Sequence, residues 1–136
     1  MNDQTRESVR QWLEKAKSDW TAVEILTGSD ECPADTVCFH CQQYVEKLLK
    51  AVLTCYSIEA PKTHDLRRLV QLAEPFVPGL ASSADAADEL TFYGVETRYP
   101  GDWQPIQKAE MEHAVELAEG FAALLMPKLE EWTDQP

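Results

Sequence analysis

Apolar residues recur every three or four positions along most of this chain, and this spacing constrains its fold more than any other feature. Residues 5–27 show the pattern, and residues 34–57 repeat it with Val37, Cys41 and Val45 on one face. Such spacing is typical of amphipathic helices, whereas a half-buried strand would need alternation with a period of two. Because no segment shows that alternation, the sequence predicts helices only.

Breaks in the pattern divide the chain into four long helices and one short helix. The predicted helices cover residues 5–27, 34–57, 63–74, 83–96 and 105–132. Short or medium connections between long amphipathic helices favour neighbours that run in opposite directions. We therefore predict a single all-α domain over residues 1–136, an antiparallel four-helix up-and-down bundle with an additional short helix.

Individual residues mark the expected helix ends. Gly28 should end the first helix, and Pro33 suits the first turn of the second. The Thr63 hydroxyl can cap the third helix. Pro127 falls inside the last helical pattern and should kink or interrupt it.

The charge balance limits the classes of partner. The chain has a formal net charge of −12, which argues against generic nucleic-acid binding, since proteins that neutralise phosphates usually present a basic surface. The window 40–72 is different, because it contains five Lys or Arg side chains and three Asp or Glu. It is either a solvated helix face or a local anion-binding surface. The sequence shows neither a signal-peptide pattern nor an apolar run of the roughly 20 residues that span a membrane, so we expect a cytoplasmic protein without a membrane contact.

A polar stripe follows the second predicted helix. His40, Gln43, Glu46 and Lys50 lie three or four residues apart and share a face, on which Glu46 and Lys50 can form an ion pair. The stripe has three interpretations, which are internal hydrogen bonding, a contact surface for a second subunit, and direct chemistry.

Two cysteines in a CxxC arrangement, Cys38 and Cys41, lie one turn apart in the same helical pattern. The sequence has no second CxxC to complete a zinc site, so buried, reduced thiols are favoured over redox chemistry or metal binding. We predict neither a metal nor a cofactor.

Three further polar residues stand at predicted helix ends. Asp65 favours the positive end of the third helix, and His64 beside it is either a structural hydrogen-bonding group or part of a site. Arg98 lies between Thr97 and Tyr99, where its guanidinium can form a structural ion pair or clamp a carboxylate or phosphate.

Three motifs in this order resemble the HEPN domain family (higher eukaryotes and prokaryotes nucleotide-binding). They are FHCQQYVEKLLKAVL on the second helix, KTHDLRRL at the third, and TRYPG before the last. The resemblance covers roughly residues 6–130. It implies a compact bundle of four or five helices that dimerises and that is often paired with a minimal nucleotidyltransferase as a toxin–antitoxin system. Several branches of the family are metal-independent ribonucleases.

The chain departs from the catalytic pattern of that family, in which an Arg is followed after four to six residues by a His. Arg98 matches the Arg, but Trp103, Gln104 and Pro105 stand where the His should be. In the catalytic members the His would activate a ribose hydroxyl while the Arg stabilises the phosphorane, and this chain lacks that His. We therefore predict a non-catalytic module that binds a partner or a nucleotide, with a ribonuclease of rearranged site as the alternative.

The expected partners are a second copy of the chain, a nucleotidyltransferase, and a nucleotide or RNA. The candidate ligand- or anion-binding residues are Arg98, His64, Asp65, His40, Gln43, Lys47 and Lys50.

Overall fold

The computed structural model describes residues 2–94 and 104–135, and this part of the chain contains five α-helices and no β-strand. The helices are α1 (Asp3–Thr27), α2 (Ala34–Cys55), α3 (Leu66–Ala73), α4 (Ala84–Thr91) and α5 (Lys108–Thr133). Two short 3-10 segments, Glu74–Phe76 and Leu80–Ser83, lie between α3 and α4. The predicted all-α fold is confirmed.

Helix α2 lies at the centre of the fold. Its side chains Leu48, Leu49 and Val52 are buried, and α1, α3 and α5 all pack against it. Full burial of one such side chain stabilises a fold by roughly 1.5–3 kcal/mol. Because this packing holds α2 in place, the polar side chains on its buried faces are held in place as well.

The helix directions follow from contacts near their ends. The Cys32 sulfur lies 3.5 Å from the Met111 sulfur, and the Lys128 amino group lies 5.8 Å from the Tyr56 ring centroid. The two contacts pair the start of α2 with the start of α5 and the end of α2 with the end of α5, so these helices run in the same direction. Helix α1 runs opposite to α2, because only residues 28–33 join them. Helices α1, α2 and α5 are the long helices of the described part of the chain, whereas α3 and α4 have eight residues each, so the bundle has three long helices where four were predicted.

The start of α3 differs from the expectation. Asp65, two residues after Thr63, is the N-cap, and its carboxylate accepts a hydrogen bond from the Arg67 amide at 3.1 Å. The Thr63 hydroxyl accepts from the Asp65 amide at 3.1 Å and so forms the turn before the helix. The predicted cap, Thr63, is therefore wrong by two residues, because Thr and Asp both cap helices well and the spacing of apolar residues does not distinguish them.

The last two helices also differ in detail. Helix α4 ends at Thr91, before the expected end, and residues 95–96 of that prediction lie outside the described part of the chain. Helix α5 continues through Pro127, so Pro127 does not interrupt the helix, which was one of the two predicted effects. Proline inside a helix costs about 3 kcal/mol. Leu125 and Leu129 on either side of it are buried in the core, and this packing holds the helix together. None of the described helices is long and apolar enough to cross a membrane.

Candidate functional site

A cluster of polar side chains lies along the inner side of α2, where it meets α1 and the residue before the cap of α3. We call it the α2 polar cluster. Its members are Asp19, His40, Gln42, Gln43, Glu46, Lys47, Lys50 and His64. Four of them are at least nine-tenths buried, namely Asp19, Gln42, Glu46 and Lys50. A buried polar group is costly unless it is hydrogen-bonded, and no buried side-chain nitrogen or oxygen of the described residues lacks a partner.

Glu46 is the centre of the cluster. Its carboxylate accepts hydrogen bonds from the Lys50 amino group at 3.0 Å and from the Gln42 amide at 3.0 Å. The His64 Nδ1 atom lies 2.8 Å from the same carboxylate. The predicted Glu46–Lys50 ion pair is therefore present, and it is buried on both sides, with 6% and 9% of the two side chains exposed.

The electrostatics keep Glu46 ionised. Burial by itself would raise the pKa of Glu46, but the hydrogen bonds from Gln42, His64 and Lys50, together with the charge of Lys50, outweigh it and hold the pKa below its ordinary value. An ionised carboxylate can only accept hydrogen bonds, so His64 must donate through Nδ1. The other ring nitrogen, Nε2, takes no part in this bond, and about half of the His64 side chain is exposed.

Asp19 forms the second half of the cluster and comes from α1. One carboxylate oxygen lies 2.8 Å from His40 Nδ1, and the other accepts a hydrogen bond from the Lys47 amino group. Only 8% of the Asp19 side chain is exposed. Since the partners are 21 and 28 residues away along the chain, this half of the cluster forms only when α1 and α2 pack together.

Gln42 connects the Glu46 half of the cluster with the residues that follow α4. It donates to the backbone carbonyl of His64 at 3.2 Å and accepts from the Gln43 side chain at 2.7 Å. Gly94 packs against its amide so closely that a Cβ atom at that position would stand 2.6 Å from the Gln42 Cδ atom. Gly94 is the last described residue before residues 95–103, which include Arg98.

The candidate residues from the sequence fall into three groups. His40, Gln43, Lys47, Lys50 and His64 all belong to the α2 polar cluster. Asp65 does not, because its carboxylate caps α3. Arg98 lies outside the described residues.

Sequence reasoning missed Asp19 and Gln42 as members of the cluster. Asp19 lies three residues after Ala16 and four before Val23, which are both buried, so it interrupts the apolar face of α1. Gln42 interrupts the buried face of α2 in the same way. A polar residue on an apolar helix face was the available signal.

The thiols of α2 fit a packing role. Cys38 and Cys41 are buried, and all four cysteines are free. Burial, with smaller contributions from Cys38 and Glu119, raises the pKa of Cys41 to about 12. A thiol with that pKa stays protonated and is a poor nucleophile and metal ligand. Across residues 2–94 and 104–135, no three acidic, His or Cys side chains form a group that could hold a metal ion.

Comparisons with known proteins bear on the family and the fold. The sequence model of the HEPN domain matches residues 9–129. The crystal structure of TT1696 from Thermus thermophilus is similar, with a TM-score of 0.72 and 26% sequence identity over 88% of this chain and 97% of that chain. A comparison with curated proteins found no match.

Proposed function

Because the chain belongs to the HEPN domain family, we propose that it is a non-catalytic binding module whose principal partner is another protein. The observation that carries this proposal is the internal pairing of Lys47 and Lys50, two of the five cations in the window 40–72. Lys47 and Lys50 are bonded to Asp19 and Glu46 inside the bundle. They are therefore unavailable to a phosphate, and a nucleotide or RNA becomes the less favoured ligand.

Arg67, another cation of that window, is also paired. Its Nη2 atom lies 2.7 Å from one carboxylate oxygen of Asp88 and 3.1 Å from one of Asp85. These hydrogen bonds raise the pKa of Arg67 and lower that of Asp88. The pairing joins α3 to α4 and offers an incoming phosphate one cation between two carboxylates. With a net charge of −12, the chain suits a partner with a basic surface.

The lack of catalysis rests on the sequence around Arg98. Catalysis of the kind expected from the family needs a His that follows the Arg closely, and Trp103, Gln104 and Pro105 occupy that position. The first candidate for a protein partner is a minimal nucleotidyltransferase, with which this chain would form a toxin–antitoxin pair. We propose in addition that the chain forms a single domain and assembles as a homodimer in the cytoplasm.

Calorimetry with purified components tests the proposal. The probes are a purified minimal nucleotidyltransferase, ATP, and a single-stranded RNA oligonucleotide. We expect saturable heat with the nucleotidyltransferase and none with ATP or RNA. Analytical ultracentrifugation of the chain alone should show a species of twice the 15.4 kDa monomer mass. Heat with ATP or RNA and none with the nucleotidyltransferase would overturn the proposal of a protein partner. A monomer at micromolar concentration would overturn the homodimer.

One observation favours a second candidate, a metal-independent ribonuclease with a rearranged site. Glu46 orients His64 through Nδ1 at 2.8 Å, and a carboxylate in this position is the usual way to hold a general base in the correct tautomer. In that candidate function His64 would take the role of the missing His. Its signature is RNA cleavage that persists in a metal chelator and disappears in His64→Ala.

A further inference from the structure

A groove separate from the α2 polar cluster lies between the end of α4 and the first turns of α5. Its volume is about 320 Å³. Side chains that line it are Glu89, Phe92, Tyr93, Glu110, His113 and Leu117. Pockets for small ligands range from about 300 to 1,000 Å³, so this groove is large enough for one or two side chains and too small for a whole helix.

The groove has an exposed aromatic edge. Phe92 is 57% exposed and meets the Tyr93 ring edge to face, with 5.5 Å between the ring centroids. Among residues 2–94 and 104–135, only Ile25 is a comparably exposed large apolar side chain. Large aromatic residues are enriched where protein surfaces bind partners. Phe92 therefore supplies an exposed apolar contact at the groove, whereas Ile25 lies on α1 and does not line the groove.

The rim of the groove is acidic. Glu89 lies 3.4 Å from His113 Nε2, and Glu110 accepts a hydrogen bond from the Tyr93 hydroxyl. Within the described part of the chain, neither carboxylate contacts a Lys or Arg. The carboxylates are exposed and lie beside an apolar floor, which is an arrangement that attracts a cationic side chain with an apolar stem.

We propose that this groove binds a basic segment of the protein partner, in which a Lys or Arg faces Glu89 and Glu110 and an apolar side chain packs on Phe92. The inference rests on the proposed function and identifies the surface that would carry it. A second copy of the chain is a poorer occupant, because at −12 per chain it would bring an acidic surface to an acidic rim.

A short fluorescein-labelled peptide composed of Leu and Lys is the probe, and anisotropy measures its binding to the full chain. Phe92→Ala and the double variant Glu89→Gln/Glu110→Gln should each weaken binding about tenfold or more, as expected when an interface anchor is lost. Both substitutions are at the surface, and circular dichroism checks that the variants fold. Binding should weaken further as salt is added.

Matched variants separate the groove from general electrostatics. Ile25→Ala removes the other exposed apolar side chain, and Glu14→Gln/Glu31→Gln changes the net charge as much as the groove pair does. These controls should bind the peptide within about twofold of the wild type. No binding by the wild type, equal losses in both sets, or no loss in the groove variants would each overturn the inference.

The same variants distinguish this inference from the proposed function. If the nucleotidyltransferase binds the groove variants as tightly as the wild type, the groove is not the docking site, while the chain remains a binding module. If the peptide binds through the groove and the nucleotidyltransferase does not bind the wild type, the groove stands and the proposed partner is wrong.

Discussion

Replacement of Glu46 by Ala should destabilise the bundle more than any other single change at a charged position of the α2 polar cluster. The substitution leaves the Lys50 ammonium group buried, with 9% of its side chain exposed, and removes an acceptor from the Gln42 amide, which is fully buried. Loss of one partner of a buried ion pair costs about 3–5 kcal/mol. An unsatisfied buried amide alone costs about 1–3 kcal/mol, and the two costs overlap because both concern one carboxylate.

The size of the effect is set by burial, so the control is an exposed carboxylate with equally good hydrogen bonds. Asp88 accepts from Arg67 at 2.7 to 3.0 Å at the surface. Equilibrium urea unfolding, followed by circular dichroism, gives the free energy of unfolding for Glu46→Ala and Asp88→Ala. Asp88→Ala should lower the free energy of unfolding far less than Glu46→Ala does, because water can replace Asp88 as the hydrogen-bond partner of Arg67. A small domain has about 5–15 kcal/mol of total stability, so the Glu46 variant should be near the limit of folding.

The double variant Glu46→Leu/Lys50→Met examines the same reasoning from the other side. When both members of a buried ion pair become apolar, no uncompensated charge remains, and such replacements are often neutral or stabilising. The double variant should therefore be more stable than Glu46→Ala. Two outcomes would refute the assignment of Glu46 as the centre of the cluster. One is an equal loss of unfolding free energy in Glu46→Ala and Asp88→Ala. The other is a double variant less stable than Glu46→Ala.

Three other predictions concern the same region. In the folded chain the pKa of Glu46 lies below its ordinary value of 4.5, so its ionisation stabilises the fold above pH 4.5, and this contribution is lost as the pH falls below that value. The urea midpoint of Glu46→Gln should therefore depend less steeply on pH than that of the wild type. An unchanged pH dependence would contradict the lowered pKa. Gly94→Ala should destabilise the fold by about 1–3 kcal/mol, because its Cβ would meet the Gln42 amide. Gly120→Ala, in open space on α5, should instead stabilise the fold by up to about 1 kcal/mol. Thermal unfolding compares the two variants, and a Gly94→Ala variant more stable than Gly120→Ala would refute the contact with Gln42. Cys41, whose pKa is raised to about 12, should resist alkylation at pH 8 in the native chain and react in urea. Mass spectrometry of the digested protein measures the extent of alkylation. Alkylation of Cys41 in the native chain would favour the redox interpretation again.

Helix positions could be predicted from the sequence because they depend on local spacing. The spacing predicts the second helix over residues 34–57, and it is observed at Ala34–Cys55, with Pro33 directly before it. Gly28 follows the first helix as expected, as its C-cap. Pro127 shows the limit of local rules. The burial of Leu125 and Leu129 depends on α5 packing on the rest of the bundle, which a helix-breaking rule for one residue does not include.

The α2 polar cluster could be predicted only in part. Glu46 and Lys50 are four residues apart, so their ion pair follows from helix geometry. His40 and Lys47 meet Asp19 across two helices, and that contact requires the relative register of α1 and α2. Spacing along one helix carries no information about register, and for this reason the sequence left the partners of the stripe open.

The proposed absence of catalysis is decided by incubating the full chain with end-labelled single-stranded RNA in a metal chelator, alongside Arg98→Ala and His64→Ala. We predict intact RNA with all three proteins, because the His that should follow Arg98 is missing. Cleavage by the wild type that persists in the chelator and is lost in Arg98→Ala or His64→Ala would contradict a non-catalytic module and establish the ribonuclease instead.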